Sequence, residues 1–384
     1  MTSDAATCDD GPSILASDER ELLRSSVSRF LEDTAPASVD VRLAGCEPDE
    51  RREAWLALDG HCGEHALALS PRKGGLGLDP AELSGLFEEL GRRLAPIPLL
   101  ASGGGAVLAN QLLASGRSVP WDGDELVALD WGGIVAGLAT SLEAIPGANG
   151  DFLVSGTTAA IPDADLAGWI VLRARLGGEE RTVAIRREAG TCKVESVANF
   201  DLTRPHAQWT LKAARGEVLE PGDEAVPALR RWALLMLASE HVGLATDRLR
   251  EMTEHAKLRH QFGQPIGAFQ AVAHACVDVM TAVEGAKALL AEALAACRGA
   301  SADVDLSVNV ASAQCFAAAD LAAAKAIELY GAIGFTWESS AHLYYRRVAA
   351  NHFLLGLSCT RDDAIADAAI AAACGPALTR GAHV

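Results

Sequence analysis

The sequence predicts an α+β fold in which a helical N-terminal domain is followed by a middle β domain and a C-terminal four-helix bundle. Three observations predict this order. Apolar residues recur at helical spacing in the first third of the chain, short apolar runs stand between Gly, Pro, Asp and Asn in the middle, and the remainder is alanine-rich and almost wholly helical in pattern. We expect the three domains to cover residues 13–118, 119–222 and 223–376.

The N-terminal domain is expected to begin with a helix. The stretch Ser-Asp-Glu-Arg at 17–20 is typical of a helix start, and apolar residues follow it at helical spacing. A Gly-rich turn at 69–78 and a second helical pattern over 83–94 come next, and Pro96 and Pro98 end that pattern. These signals predict a domain made of several short helices.

The middle domain is predicted to be a small antiparallel β structure, because its apolar runs are only three or four residues long. They lie at 152–154, 169–172, 182–185 and 209–211. The C-terminal part is predicted to contain long helices, because alanine has the highest helix propensity. Gly299, Gly331 and Gly375 give natural stops. The expected helices cover 227–258, 266–298, 303–330 and 360–373, with a shorter piece at 339–354.

Composition excludes several classes of partner. The 384 residues are 49% hydrophobic, enough to bury a large core. The net charge of -18 is spread along the chain, so we expect no nucleic-acid partner and no anionic membrane surface. The nine cysteines form no C-x-x-C pair, so we expect no metal site. Residues 1–12 are polar and the alanine-rich runs carry charges, so we expect a cytoplasmic protein without membrane insertion.

The most informative stretch is Arg-His-Gln-Phe-Gly-Gln-Pro-Ile-Gly-Ala-Phe-Gln at 259–270, which interrupts a long helical pattern. It combines a cation, two aromatic residues, several amide side chains and a Gly-x-Pro break. The guanidinium of Arg259 is always charged and can bind two phosphate oxygens at once. A turn of this kind suits a large planar anionic cofactor, although a surface cation that favours a helix C-terminus is the alternative.

Two further segments support a nucleotide site. Residues 327–338 read Ile-Glu-Leu-Tyr-Gly-Ala-Ile-Gly-Phe-Thr-Trp-Glu, and residues 340–347 read Ser-Ala-His-Leu-Tyr-Tyr-Arg-Arg. Together with the 259–270 stretch they resemble three signatures of the acyl-CoA dehydrogenases, namely R-x-x-F-G-x-x-I-x-x-F-Q, Q-x-x-G-G-x-G-F-x-x-E and H-L-Y-x-R-R. The last of these is similar to an actinobacterial branch that is rich in steroid and other unusual acyl-CoA substrates. The resemblance covers about 300 residues and implies the acyl-CoA dehydrogenase fold.

The resemblance also implies a cofactor and its binding residues. The family uses FAD to oxidise acyl-CoA thioesters, works as a tetramer and passes electrons to a separate acceptor. By resemblance, Arg259 and Gln270 contact the phosphate and adenine portions of FAD across a subunit interface, and Phe262 packs beside them. The turn with Glu328, Gly331 and Ala332 would approach the phosphates. Here Glu328 replaces the family's glutamine and Ala332 replaces a glycine, so we expect charge repulsion and steric crowding at this turn.

The catalytic base of the family is a desolvated carboxylate that removes the α-proton. The two positions at which family members place it correspond to Ala233 and Leu355, so both usual bases are absent. Glu240 lies two helical turns after Ala233 in an apolar run. It is a candidate base, and the alternative is a buried structural acid paired with His241, an arginine or a partner chain.

Three hypotheses follow. The chain is a flavin-dependent dehydrogenase of bulky or steroid-type acyl-CoA, as a homo- or hetero-tetramer. Alternatively, it is a non-catalytic partner that completes the site of a related acyl-CoA dehydrogenase chain, which the missing bases and the residues Glu328 and Ala332 favour. The third hypothesis is a tailoring enzyme that oxidises a carrier-bound substrate on the same scaffold.

Overall fold

The computed structural model describes residues 15, 17–34, 47–62, 67–70, 75–122, 125–147, 151–219, 225–299, 303–355 and 365–366. Over these ranges the chain has an N-terminal group of helices, a middle sheet and a C-terminal group of long helices. This order confirms the predicted α+β class. The two domain boundaries, at 118/119 and 222/223, stay predictions. The first lies in sequence between the last N-terminal helix and the sheet, and the second lies between the sheet and the long helices.

The N-terminal helices are α1 (Ser17–Thr34), α2 (Pro48–Cys62), α3 (Pro80–Arg93) and α4 (Leu99–Ala114). The starts and stops follow local chemistry. Asp79 caps α3 by accepting from the backbone N–H of Glu82, whose side chain accepts from the N–H of Asp79 in return. The helix start predicted at 17 agrees with the structure, whereas the helix predicted over 83–94 begins three residues earlier, at Pro80, and ends at Arg93.

The middle domain is an eight-stranded, mostly antiparallel sheet with a short helix, α5 (Trp131–Ile134), beside it. The strands are β1 (Val127–Leu129), β2 (Glu143–Pro146), β3 (Phe152–Thr157), β4 (Ile161–Pro162), β5 (Trp169–Leu176), β6 (Glu179–Arg186), β7 (Cys192–Val197) and β8 (His206–Val218). The main path runs in the order β1-β5-β2-β3-β8-β4, while β6 pairs with β5 and β8, and β7 pairs with β8. The four predicted apolar runs lie in β3, β5, β6 and β8.

The C-terminal helices are α6 (Val226–Leu258), α7 (Gln270–Arg298), α8 (Val304–Tyr330) and α9 (Ala341–Leu354). The prediction that a helix starts at 266 was wrong. Residues 266–268 form a 3-10 turn after Pro265, and α7 begins at Gln270. The predicted helix over 360–373 lies outside the described residues except for 365–366, which are helical.

Helices α3 and α6 cross with their backbones in contact. A Cβ atom on Gly91 would overlap the carbonyl oxygen of Glu240, and a Cβ on Gly243 would overlap the carbonyl oxygen of Glu88. Only glycine allows this approach from both sides. The crossing fixes the middle of α6, and with it Glu240, against the N-terminal domain.

Helix α8 is also apolar along its length. Val304–Phe335 is the one segment among the described residues that is long and apolar enough to cross a bilayer by composition. More than half of its most apolar window is buried inside the fold, and the helix packs against α6 and α7. We therefore interpret α8 as a core helix of the bundle.

Candidate active site

The predicted nucleotide-binding turn is an exposed hairpin between α6 and α7. Strands β9 (His260–Gln261) and β10 (Gln264–Pro265) pair antiparallel, with Phe262 and Gly263 at the tip. Both tip residues have positive φ, 54° at Phe262 and 82° at Gly263. A positive φ is uncommon for an aromatic residue, but a two-residue hairpin of this type requires it at both central positions. The Phe262 side chain is 92% exposed, with its ring edge-on to Phe269 at 6.1 Å.

Arg259 and Gln270 lie at the two ends of this turn. The backbone of Arg259 is fixed, because its N–H donates to the carbonyl oxygen of His255 and its own carbonyl accepts from Ile266. Its side chain is exposed and forms no ion pair with the described part of the chain. Gln270 is the exposed first residue of α7. A guanidinium, an amide and an aromatic ring thus face solvent from one turn, which suits a phosphate and a planar base.

The glycine turn lies next to this hairpin. The rings of His255 on α6 and Tyr330 on α8 are in contact, with centroids 4.4 Å apart and an interplanar angle of 36°, so the C-terminal ends of the two helices lie together. Gly331 follows Tyr330 with φ of 62° and ends α8, and both Gly331 and Ala332 are exposed. The structure therefore brings the two predicted segments together on one open surface.

Glu328 has a partner that the sequence analysis did not consider. Its Oε2 lies 2.7 Å from Nζ of Lys325, one turn earlier on α8, and both side chains are partly or largely exposed. The lysine offsets the negative charge that we expected to repel a pyrophosphate. The exposed methyl group of Ala332 causes no crowding within the chain, and its effect on a bound nucleotide stays a prediction.

Glu240 is buried and bound by two arginines. Its Oε2 accepts from Nη2 of Arg204 at 2.6 Å, its Oε1 accepts from Nη1 of Arg347 at 2.8 Å, and Asn351 donates to the same Oε1 at 3.4 Å. Burial alone would raise the pKa of Glu240, but the two guanidiniums outweigh burial and lower the pKa to about 2. A carboxylate with so low a pKa accepts protons poorly, so this geometry argues against the general-base role and favours the structural alternative.

The same ion pairs join three parts of the chain. Arg347 on α9 also donates through Nε to Oδ2 of Asp201 at 2.5 Å and binds the hydroxyl of Thr203, both in the loop before β8. Arg204 of that loop donates to Asn351 on α9 at 2.6 Å. The cluster of Glu240, Arg204, Arg347, Asp201, Thr203 and Asn351, called the Glu240 cluster below, therefore fastens the middle domain to α6 and α9.

His241 is not the hydrogen-bonding partner that the sequence suggested for Glu240. Its Nδ1 lies 2.6 Å from the carbonyl oxygen of Leu237, and its ring stacks on Phe316 with centroids 3.9 Å apart. Burial lowers the pKa of His241 to about 4, so the ring is neutral at pH 7.

The two positions that hold the base in the resembled family are closed. Ala233 is 0% exposed and Leu355 is 2% exposed, and both belong to the same apolar core cluster. Neither side chain can take a proton. Where a family active site would present its base, this chain therefore has packed apolar side chains.

An open cleft between the middle domain and α9 gives the centre of a water molecule about 440 Å³. Trp131, His206 and Phe353 are among the residues that line it. Burial lowers the pKa of His206, so its ring is neutral at pH 7.

The matches to known proteins agree with this architecture. Residues 17–118 match the acyl-CoA dehydrogenase N-terminal domain, and residues 231–370 match the acyl-CoA dehydrogenase C-terminal domain. The chain is 31% identical over 340 residues to the acyl-CoA dehydrogenase IpdE2 of Mycobacterium tuberculosis, an alignment that covers 88% of this chain and 93% of that protein. A match to IpdE2 of Mycolicibacterium smegmatis is 30% identical and covers 88% of this chain and 95% of that protein.

Solved structures show the same fold. Butyryl-CoA dehydrogenase from Megasphaera elsdenii superposes with a TM-score of 0.78 at 17% identity, over 93% of this chain and 100% of that chain. The ChsE4–ChsE5 complex from Mycobacterium tuberculosis gives a TM-score of 0.73 at 20% identity, over 92% of this chain and 97% of that chain. These values support the fold.

The chain therefore belongs to the acyl-CoA dehydrogenase family. It is an acyl-CoA dehydrogenase-type oxidoreductase, and FAD is its cofactor. The open hairpin fits the nucleotide part of FAD, because Arg259, Phe262 and Gln270 are exposed and no atom of the described residues lies within 4 Å of a Cβ built on Gly331. The described residues contain no group of three or more His, Cys, Asp or Glu that could hold a metal ion.

Proposed function

We propose that this chain is the nucleotide-binding, non-catalytic subunit of a hetero-oligomeric acyl-CoA dehydrogenase that oxidises the α,β bond of a bulky, steroid-type acyl-CoA. One contrast carries the proposal. The Arg259 hairpin is open and complete, whereas both base positions, Ala233 and Leu355, are buried apolar residues. A chain built in this way can complete a flavin site but cannot remove the α-proton.

The surface around the hairpin supports a partner chain. Large apolar side chains are exposed at the end of α6, at the tip of the hairpin and on the turn after α8. An exposed apolar group rimmed by charged residues is typical of a protein interface. The residues are Leu258, Phe262, Ile333, Phe335 and Trp337.

The proposed division of labour follows from these residues. FAD supplies the hydride acceptor for the β-carbon when it is bound. In this chain Arg259 binds phosphate oxygens, Phe262 packs beside the nucleotide, and Gln270 orients the nucleotide. Lys325 offsets the negative charge of Glu328. The partner chain supplies the carboxylate that takes the α-proton.

The names of similar proteins support the proposal that the acyl group is of the steroid type. ChsE4–ChsE5 is named as a complex, and a further structural match is named a steroid ACAD. We propose, on this basis, that this chain also acts on a steroid-type substrate and also forms a mixed assembly. The electron acceptor and the cytoplasmic location stay predictions from the sequence.

A self-sufficient enzyme is the second candidate, because the cleft beside His206 is large and the family is catalytic. The two candidates differ in one experiment. The chain is purified alone and after co-expression with a related acyl-CoA dehydrogenase chain, and each sample is mixed with a steroid-type acyl-CoA without oxygen. We expect loss of the flavin's visible absorption only in the mixed assembly. Loss of absorption with the chain alone would favour the second candidate.

We expect Arg259→Ala to weaken FAD binding in the mixed assembly by about 10- to 100-fold, because a charge-assisted hydrogen bond to a phosphate is worth about 1.5–3 kcal/mol. FAD retention after dialysis is the measurement. Lys257→Ala is the matched control, because Lys257 is an exposed cation on the same helix end that pairs with Glu254. Equal loss of FAD from both variants would mean that general charge, and not Arg259, holds the nucleotide.

Phe262→Ala tests the interface. Because the ring is exposed, we expect the melting temperature of the isolated chain to stay within about 1 °C of wild type, since surface changes are usually within ±0.5 kcal/mol. Association with the partner chain should weaken by at least about tenfold, as for a central aromatic contact. Sedimentation at graded concentrations measures this. The control is Leu22→Ala, because Leu22 is exposed on α1, and it should leave association unchanged. If Phe262→Ala also leaves association unchanged, the interface lies elsewhere.

A further inference from the structure

Helix α4 contains three consecutive buried glycines, Gly103, Gly104 and Gly105. Glycine in a helix interior is destabilising, so such a run needs a packing reason. A Cβ on Gly103 would lie 2.6 Å from Cζ2 and 2.7 Å from Cη2 of Trp232 on α6. The missing side chain of Gly103 is therefore the space that the indole ring of Trp232 occupies.

Trp232 stands next to Ala233, the position of a family base. Its ring also meets the edge of Phe87 on α3, with centroids 5.9 Å apart and an interplanar angle of 86°. A carboxylate at 233 would stand on the same turn of α6 as Trp232, so an acyl thioester that it served would lie close to the contact of Trp232 with α3 and α4. In this chain the indole ring fills the space at that contact.

Little space is left around the ring. The cavity lined by Trp232, Phe87, Gly103 and neighbouring apolar residues gives the centre of a water molecule about 40 Å³. That is room for a few water molecules and not for an acyl chain.

The indole N–H adds a second observation. Nε1 of Trp232 is buried and has no acceptor among the described residues. No hydrogen bond to the described residues holds the indole ring in place, and a buried donor without a partner costs free energy. We therefore attribute the role of Trp232 to the volume that its ring fills.

We propose that Trp232 excludes acyl groups from this chain, and that the acyl chain of the substrate binds only in the partner subunit. This inference rests on the proposed function and adds the residue that determines where the substrate goes. Trp232→Ala opens a space of roughly the 150 Å³ that holds benzene in engineered cavities, joined to the existing cavity.

The test is photolabelling of the mixed assembly with decanoyl-CoA that carries a diazirine near the end of its acyl chain. Mass spectrometry then locates the label. In the wild-type assembly we expect label on the partner subunit only. In the Trp232→Ala assembly we expect label on α4 or α6 of this chain to rise at least tenfold, while Trp232→Phe, which keeps a ring in place, should match wild type.

Label on α4 or α6 of the wild-type chain would overturn the proposal, and so would a Trp232→Ala assembly labelled on the partner alone. Trp232→Leu, which frees less space, replaces Trp232→Ala if the latter does not fold. A benzene-induced rise in melting temperature for Trp232→Ala, absent in wild type, checks that the cavity has formed. Failure of the proposed function shows itself separately, as flavin reduction by the isolated chain.

Discussion

Gly243→Ala is expected to lower the free energy of unfolding by about 3 kcal/mol or more, the upper end of the usual cost of overpacking. A Cβ at this position would overlap the carbonyl oxygen of Glu88, and the facing Gly91 leaves no slack because its own Cβ would overlap the carbonyl oxygen of Glu240. Both obstacles are helix backbone, so α3 and α6 would have to move apart. Urea unfolding measures the change.

Gly285→Ala is the matched control for this result. Gly285 lies in α7, and nothing stands within 4 Å of a Cβ built on it. Alanine there should stabilise the protein by about 0.5–1 kcal/mol, because it removes the entropy cost of a helical glycine. Destabilisation by both substitutions, or by neither, would contradict the close crossing of α3 and α6.

Glu240→Gln is expected to destabilise the isolated chain by about 3–5 kcal/mol, the usual cost of removing one partner from a buried ion pair. Glutamine keeps the shape of the side chain but removes the negative charge that the guanidiniums of Arg204 and Arg347 bind. Two buried positive charges then lose a partner where α6, α9 and the middle domain meet. Thermal and urea unfolding give the magnitude.

The control is Glu254→Gln on the same helix. Glu254 pairs with Lys257 at 2.7 Å, but both side chains are more than half exposed. We expect a change within about 0.5 kcal/mol there. The opposite outcome is a Glu240→Gln chain that unfolds like wild type but supports no flavin reduction in the mixed assembly. That outcome would identify Glu240 as the catalytic base.

The pH dependence of stability distinguishes the same two roles. The pKa of Glu240 falls from 4.5 to about 2 on folding, so folding favours the ionised form. Its contribution to stability, of about 3 kcal/mol, is fully present above about pH 4.5 and is lost as the pH falls from there towards 2. Wild type should therefore lose more stability than Glu240→Gln across this acid window. Parallel profiles would mean that the Glu240 cluster contributes nothing to acid unfolding.

Sequence reasoning succeeded where the signal is local. Helical and strand periodicity located α1, α3, α6, α8 and the main strands, and one twelve-residue stretch predicted the exposed turn with Arg259. Its error at the start of α7 is also local, because the hairpin and the 3-10 turn after Pro265 replace the first helical residues. The family resemblance supplied the cofactor, which no spacing of residues predicts by itself.

Long-range pairing could not be predicted in this way. Arg204 and Arg347 stand 36 and 107 residues from Glu240, and nothing in a single sequence says that these charges meet. The sequence contains the Arg-Arg pair at 346–347 and the Asp-x-Thr-Arg stretch at 201–204, but it does not indicate which residues they bind. Likewise, nothing in the sequence indicates that Trp232 and Gly103 are in contact.

The ratio of FAD to protein chains tests the central claim most directly. Native mass spectrometry counts both in the chain purified alone and in its assembly with a related acyl-CoA dehydrogenase chain. We predict no FAD on the isolated chain and one FAD for every two chains in the mixed assembly. One FAD on every copy of the isolated chain, with loss of its visible absorption on adding an acyl-CoA, would contradict the proposal that this subunit completes a site it does not itself catalyse.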